Sequence, residues 1–220
     1  MINSRRKQIL SFAGMLLVAG CAAGPGGGLS TYETLMAPQR ERAAALAAQG
    51  NLRGASDAWK IALTIDPRDG VALAESRKVD EQIKQAVGDR LARGRDALKR
   101  NVHLEARNHF LAVLAMEPGN REAHRILGFV QAALAERQPS PGAMMSQAIG
   151  HLEKALAGGR RDPGVELSLG RLYVRTEQPL PAIRTLRAFL LQQPDHQEAM
   201  QLLAEAFDAN KEPLEAIAVL

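Results

Sequence analysis

Two kinds of residue are nearly missing from this chain of 220 residues. Cysteine occurs once, at position 21, so no internal disulfide can form and the fold must stand on packing alone. Aromatic side chains make up 4%, and alternating runs of Val, Ile and Thr are absent, which argues against a sheet-based core. The common catalytic patterns are missing too. No H-E-x-x-H, G-x-S-x-G or C-x-x-C occurs, so metallohydrolase, serine-hydrolase and dithiol chemistry lack their residue sets. The five histidines are His103, His109, His124, His151 and His196. His103 and His109 stand six residues apart, about 240° around a helix, so they do not converge on a metal. The histidines read as solvated or groove side chains, and the chain is expected to be no enzyme and to hold no metal or cofactor. What is present is alanine, leucine and 46% apolar residues, enough for a sizeable core and best suited to an all-α protein.

The amino terminus explains the lone thiol. Residues 1–7 carry Arg5, Arg6 and Lys7 without an acid, and residues 9–20 are mostly apolar but shorter than the roughly 20 residues that span a bilayer. This is a secretion signal. Its end reads Leu17-Val18-Ala19-Gly20-Cys21, which resembles a bacterial lipobox. The resemblance implies that the signal, residues 1–20, is removed and that Cys21 is acylated as the membrane anchor. Several acyl chains, at roughly 0.8 kcal/mol per buried CH₂, hold far more firmly than one. Ala22 stands where an aspartate would resemble the inner-membrane retention signal, so the expected location is the outer membrane, facing the periplasm. Ser4-Arg5-Arg6 faintly resembles a twin-arginine signal, although Gln8 stands where that pattern has a large apolar residue.

Removing the signal also removes three of the 28 basic residues, leaving 25 against 24 acids. Nothing in that balance asks for nucleic acid, whose binding would need a clustered basic face. Residues 21–35 then supply the lipidated cysteine and a linker, "AAGPGGGLSTYETL", with a root-mean-square span of about 20 Å. Gly24–Gly28 lacks the strand and helix that flank a phosphate-cradling loop, so a tether is the better reading.

Beyond the tether the chain repeats itself. An alanine precedes a large apolar residue by four positions at Ala55 and Trp59, Ala106 and Phe110, Ala148 and Leu152, Ala182 and Leu186, and Ala216 and Leu220. The alanines are separated by 51, 42, 34 and 34 residues. Upstream lie Leu127-Gly128, Leu169-Gly170-x-x-Tyr173 and Leu203-Ala204-x-x-Phe207, and downstream come Pro67, Pro118, Pro163 and Pro194. The physical content is a pair of antiparallel helices in which a glycine or alanine lets the backbones close up while the larger residue fills the space beside it. The prolines are expected to end each second helix.

This spacing resembles the tetratricopeptide repeat family over residues 36–220. The resemblance implies an all-α solenoid of about five helical hairpins, at about 36–69, 70–120, 121–163, 164–196 and a truncated 197–220. The first interval exceeds the family period by 17 residues and the second by 8. The first excess reads as one long helix from about 70 to 101, with Val79, Ile83, Val87, Leu91 and Leu98 near one stripe and Gly88 as its weak point. The second, at 136–144, reads as a loop. The second helix of the fifth hairpin is about two turns long, so this end is expected to dock on a second copy or a partner helix.

In the family, the first helix of each hairpin lines the concave face. The matching positions here include Arg40, Leu91, Arg95, Arg125, Phe129, Leu167, Arg171, Arg175, Gln201 and Glu205. Arginines interleaved with apolar side chains are expected to hold an extended or helical protein segment through a carboxylate and a few pockets. The set lacks the lysine and asparagine clamp of the chaperone-binding members. The expected function is a scaffold on the outer membrane that helps assemble an envelope machine, as lipidated pilotins do. The alternative is an adaptor that positions wall-modifying enzymes or supports polysaccharide export.

Overall fold

The computed structural model describes residues 31–138 and 140–219, and among them the chain forms ten α-helices and no strand. They are α1 (Thr31–Ala48), α2 (Leu52–Ile65), α3 (Gly70–Lys99), α4 (His103–Met116), α5 (Arg121–Ala135), α6 (Gly142–Leu156), α7 (Pro163–Arg175), α8 (Pro179–Leu190), α9 (Gln197–Ala209) and α10 (Pro213–Val219). Consecutive helices pair into five hairpins, each packed on the next. The chain is the all-α solenoid that the repeat spacing predicts. Cys21, the signal and most of the tether lie outside the described residues, as does Leu220, but α1 begins at Thr31, inside the segment read as linker.

The turns show why the hairpins are regular. Between the two helices of a hairpin, four of five connections are three residues long and hold one residue with positive φ: Gly50 (74°), Asn101 (58°), Glu177 (55°) and Lys211 (65°). Each left-handed residue lets the following amide reach back five residues to a carbonyl of the first helix, as from Gln178 to Tyr173 at 2.8 Å and from Val102 to Ala97 at 2.9 Å. Those bonds satisfy carbonyls that a helix end would otherwise strand. The connections between hairpins use another device. The first helix of every later hairpin is capped by a side chain: Asp69 accepts from Val71, Asn120 from Ala123, Asp162 from Val165 and His196 from Ala199. Caps of this kind contribute about 1 kcal/mol each.

Inside the hairpins the small residues do what the spacing predicts. A Cβ added to Gly128 would collide with Leu152, and one added to Gly170 with Leu186. A third crossing, Gly94 under Phe110, was not foreseen; a Cβ there would stand 2.8 Å from the ring. Its signal was a spacing of 12 residues to the alanine of the second helix, shared by Ala43 and Ala55, Gly94 and Ala106, Gly170 and Ala182, and Ala204 and Ala216. The buried core falls into two clusters, one from Met36 to Leu127 and the other from Ala135 to Ala216, and they meet within α5.

Three expectations need correction. Pro67, Pro118 and Pro194 follow the ends of second helices, but Pro163 opens α7 at its first position, where a missing amide costs nothing. The segment 136–144 is not loop throughout, because α6 already starts at Gly142. His124 is neither solvated nor in a groove: it is buried in the interior between α5 and α6.

Candidate partner-binding face

All but Arg175 of the residues singled out on the first helices fall into one register. Three positions before each crossing residue stand Arg40, Leu91, Arg125, Leu167 and Gln201, and one position after it stand Ala44, Arg95, Phe129, Arg171 and Glu205. Odd hairpins therefore carry arginine early and an apolar residue late, and even hairpins the reverse. The fifth breaks the alternation at both places.

Each of the four arginines reaches the start of the next hairpin's first helix. Arg40 Nε donates to Asp69 at 2.8 Å, and Arg125 Nε to Asp162 at 2.9 Å. Both acceptors are the capping residues of the helices that follow. Arg95 grips Glu122 through Nε and Nη2 at 2.8 and 2.7 Å, and Arg171 holds Glu198 through Nε at 2.7 Å. Both glutamates lie in the first turn of the next helix, where a carboxylate also meets the positive end of the helix dipole. The four arginines thus form a ladder that joins hairpin to hairpin.

The rungs are unequal. Asp69 exposes 2% of its side chain and Arg40 27%, whereas Arg95 and Glu122 expose 51% and 38%. The Arg40 guanidinium holds the Asp69 carboxyl below its ordinary value, against the opposing effect of burial and with help from the Ala72 and Val71 amides. Arg40 also reaches Glu33 at 3.0 Å. Arg175 makes the longest contact of the set, 3.4 Å to Glu136. The Arg125 guanidinium lies 5.1 Å from the centre of the Phe129 ring, a cation–π distance. Leu91, Phe129 and Leu167 are half-buried against the two cores. They present apolar steps between the charged rungs.

Two interior polar groups tie neighbouring helices behind this face. Glu166 of α7 is buried and accepts from Arg161, which also donates to the Ala188 carbonyl at the end of α8. Between α5 and α6 the Nδ1 atoms of His124 and His151 stand 2.9 Å apart. The Pro118 carbonyl accepts from His124 Nε2 at 2.9 Å; with its proton on that nitrogen alone, His124 offers Nδ1 as acceptor and His151 donates. Burial, then the charges of His124 and Lys154, holds the His151 imidazole below its ordinary value. Among the described residues no three His, Cys, Asp or Glu side chains gather to hold a metal.

The repeat geometry has a family counterpart. The family model described as tetratricopeptide repeat matches residues 91–163 and 167–220, more than half of the chain. The chain belongs to the tetratricopeptide repeat family. Comparison with curated proteins returned no match. Among solved structures, the crystal structure of MamA is similar at 19% identity and a TM-score of 0.52, covering 85% of this chain and 88% of that one. YrrB, described as a tetratricopeptide repeat protein with an unusual peptide-binding site, has a TM-score of 0.48 at 16% identity, covering 86% and 89%. PilF of Pseudomonas aeruginosa has 0.48 at 17%, covering 86% and 90%. At 19% identity the likeness to MamA bears on the fold alone. Tetratricopeptide repeats typically serve as protein-interaction scaffolds, and that is the coarse function of this chain.

Proposed function

We propose that this tetratricopeptide repeat protein is a lipid-anchored scaffold of the bacterial outer membrane, held by Cys21 and facing the periplasm. In this reading it carries out no catalysis and brings together parts of an envelope machine, as a pilotin does. The observation that carries the reading is the order of the sequence: a short apolar segment, Leu17-Val18-Ala19-Gly20-Cys21, a glycine-rich tether and then a stack of interaction repeats. The half-buried Leu91, Phe129 and Leu167, set between charged rungs, suit a protein segment that brings apolar side chains to the first-helix face.

Labelling with radioactive palmitate, followed by membrane fractionation, tests the anchor. The native chain is expected to take up label and sediment with outer membranes, and Cys21→Ser to lose both. Deletion of the protein is expected to mislocalise a multimeric envelope channel. Altered wall cross-links with every such channel in place would overturn the pilotin-like part and favour an adaptor of wall-modifying enzymes.

A further inference from the structure

The connection from the third hairpin to the fourth brings arginines together outside the ladder. It runs over residues 157–162, where Gly158 and Gly159 hold the left-handed conformation at φ 78° and 73° just before Arg160 and Arg161. Two such residues in succession favour glycine. Arg161 is held from two sides: Nε and Nη2 donate to the two oxygens of the buried Glu166, and Nη2 also donates to the Ala188 carbonyl of α8. Gln192 donates to Glu166 as well, at 3.2 Å. The guanidinium is thus fixed in one orientation, with Nη1 bonded to nothing among the described residues.

A cavity of about 250 Å³ opens beside it, where Arg160, Arg161, Arg184 and Thr185 surround the single carboxylate of Glu166. Three guanidinium groups against one carboxylate leave a local charge of +2. Arg160 and Arg184 are exposed, and neither is paired with an acid among the described residues. The helices α6, α7 and α8 and residues 157–162 hold three acids in all. Besides Glu166 these are Glu153, which accepts from the Tyr173 hydroxyl at 2.7 Å, and Asp162, which accepts from Arg125 at 2.9 Å.

We infer that this cavity binds a phosphate monoester. Such a group carries a charge of about −1.5 to −2 at neutral pH, which balances the excess, whereas a carboxylate would leave half of it uncompensated. Planar guanidinium groups pair with phosphate oxygens through parallel N–H bonds, and the Thr185 hydroxyl supplies a further donor. Soluble phosphorylated compounds and lipid headgroups share this chemistry, and the test separates the two sources. The site draws on α8 and the connection, apart from the ladder of Arg40, Arg95, Arg125 and Arg171, and goes beyond the scaffold reading.

The test uses the full chain with Cys21→Ser, so that no acyl chain contributes. Isothermal titration with inorganic phosphate at low salt is expected to show one saturable site. Arg160→Ala with Arg184→Ala, two exposed changes expected to leave circular dichroism unaltered, should weaken it roughly tenfold. Arg77→Ala with Arg93→Ala removes the same charge from α3 and should leave it unchanged. Flotation with phosphatidylcholine vesicles containing phosphatidic acid then distinguishes the sources. Vesicle binding that the first pair of substitutions abolishes assigns a lipid headgroup, and phosphate binding without flotation assigns a soluble compound. No saturation at millimolar phosphate would overturn the inference. So would equal losses from the two pairs, or vesicle binding that survives Arg160→Ala with Arg184→Ala. None of these measurements involves the Cys21 anchor or the first-helix face, so the proposed function stands or falls separately.

Discussion

The two lengthened hairpins absorb extra residues by opposite means. In the second hairpin, α3 has 30 residues where α7 and α9 have 13, so the whole excess of 17 becomes helix. In the third hairpin the connection has six residues in place of three, and the remaining five lengthen α5 and α6, with 15 residues each. Composition accounts for the difference. Residues 70–101 contain no proline, whereas Pro139 and Pro141 interrupt the second excess. An added helical turn bonds its own amides and carbonyls internally, while an added loop leaves that task to water and side chains. A long helix therefore preserves the tight turn that follows it, with Asn101 in the left-handed conformation. Among the described residues of the third hairpin's connection none has a positive φ.

The largest effect should come from breaking the helical solution. Gly88→Pro interrupts α3 in mid-helix and is expected to cost about 3 kcal/mol or more in urea unfolding. Two residues inserted after Gln138 are expected to cost less than about 1 kcal/mol. Equal losses would show that the two solutions are energetically alike. Next come the ladder rungs that flank α3. Arg40→Ala leaves the buried Asp69 carboxylate without its guanidinium and is expected to cost about 2 kcal/mol. Arg95→Ala, in an exposed pair, should cost about 0.5 kcal/mol. Of similar size is a contrast between glycines, because a methyl group at Gly128 must push Leu152 aside, costing about 2 kcal/mol. At Gly88 it meets nothing within 4 Å, and there alanine should stabilise by about 1 kcal/mol.

The smallest effect concerns acid sensitivity within the third hairpin. Since the folded protein holds His151 below its ordinary value, the unfolded chain takes up the proton first. Stability is fully present above the unfolded value, near 6.5, and falls as pH drops through it toward the folded one. Urea unfolding between pH 7.5 and 5 should show this fall, and His151→Gln should flatten it. An unchanged slope in that variant would assign the dependence to other groups.

The fold was legible because repeat packing is written in small residues at fixed spacing. Ala55, Ala106, Gly128 and Gly170 marked the hairpins, and the uninterrupted stripe of Val79, Ile83 and Val87 marked the long helix. Gly94 escaped because it follows Arg93 where Gly128 and Gly170 follow leucine. The candidate site was legible only in part. The register of Arg40, Arg95, Arg125 and Arg171 was visible, but their acids lie 27 to 37 residues further on. No local pattern joins residues so far apart until the repeat length is known. His124 was misread for a related reason, since its partners Pro118 and His151 are brought together only when α5 and α6 close. Glu177 and Lys211 gave no sign of their left-handed backbone, a conformation that favours glycine or asparagine.

The length of α3 has a mechanical consequence. Its capping residue Asp69 grips α1, and Arg95 near its far end grips α5; the two lie 26 positions apart along one continuous helix, about 39 Å. The first and third hairpins are thereby tied to opposite ends of one unbroken helix.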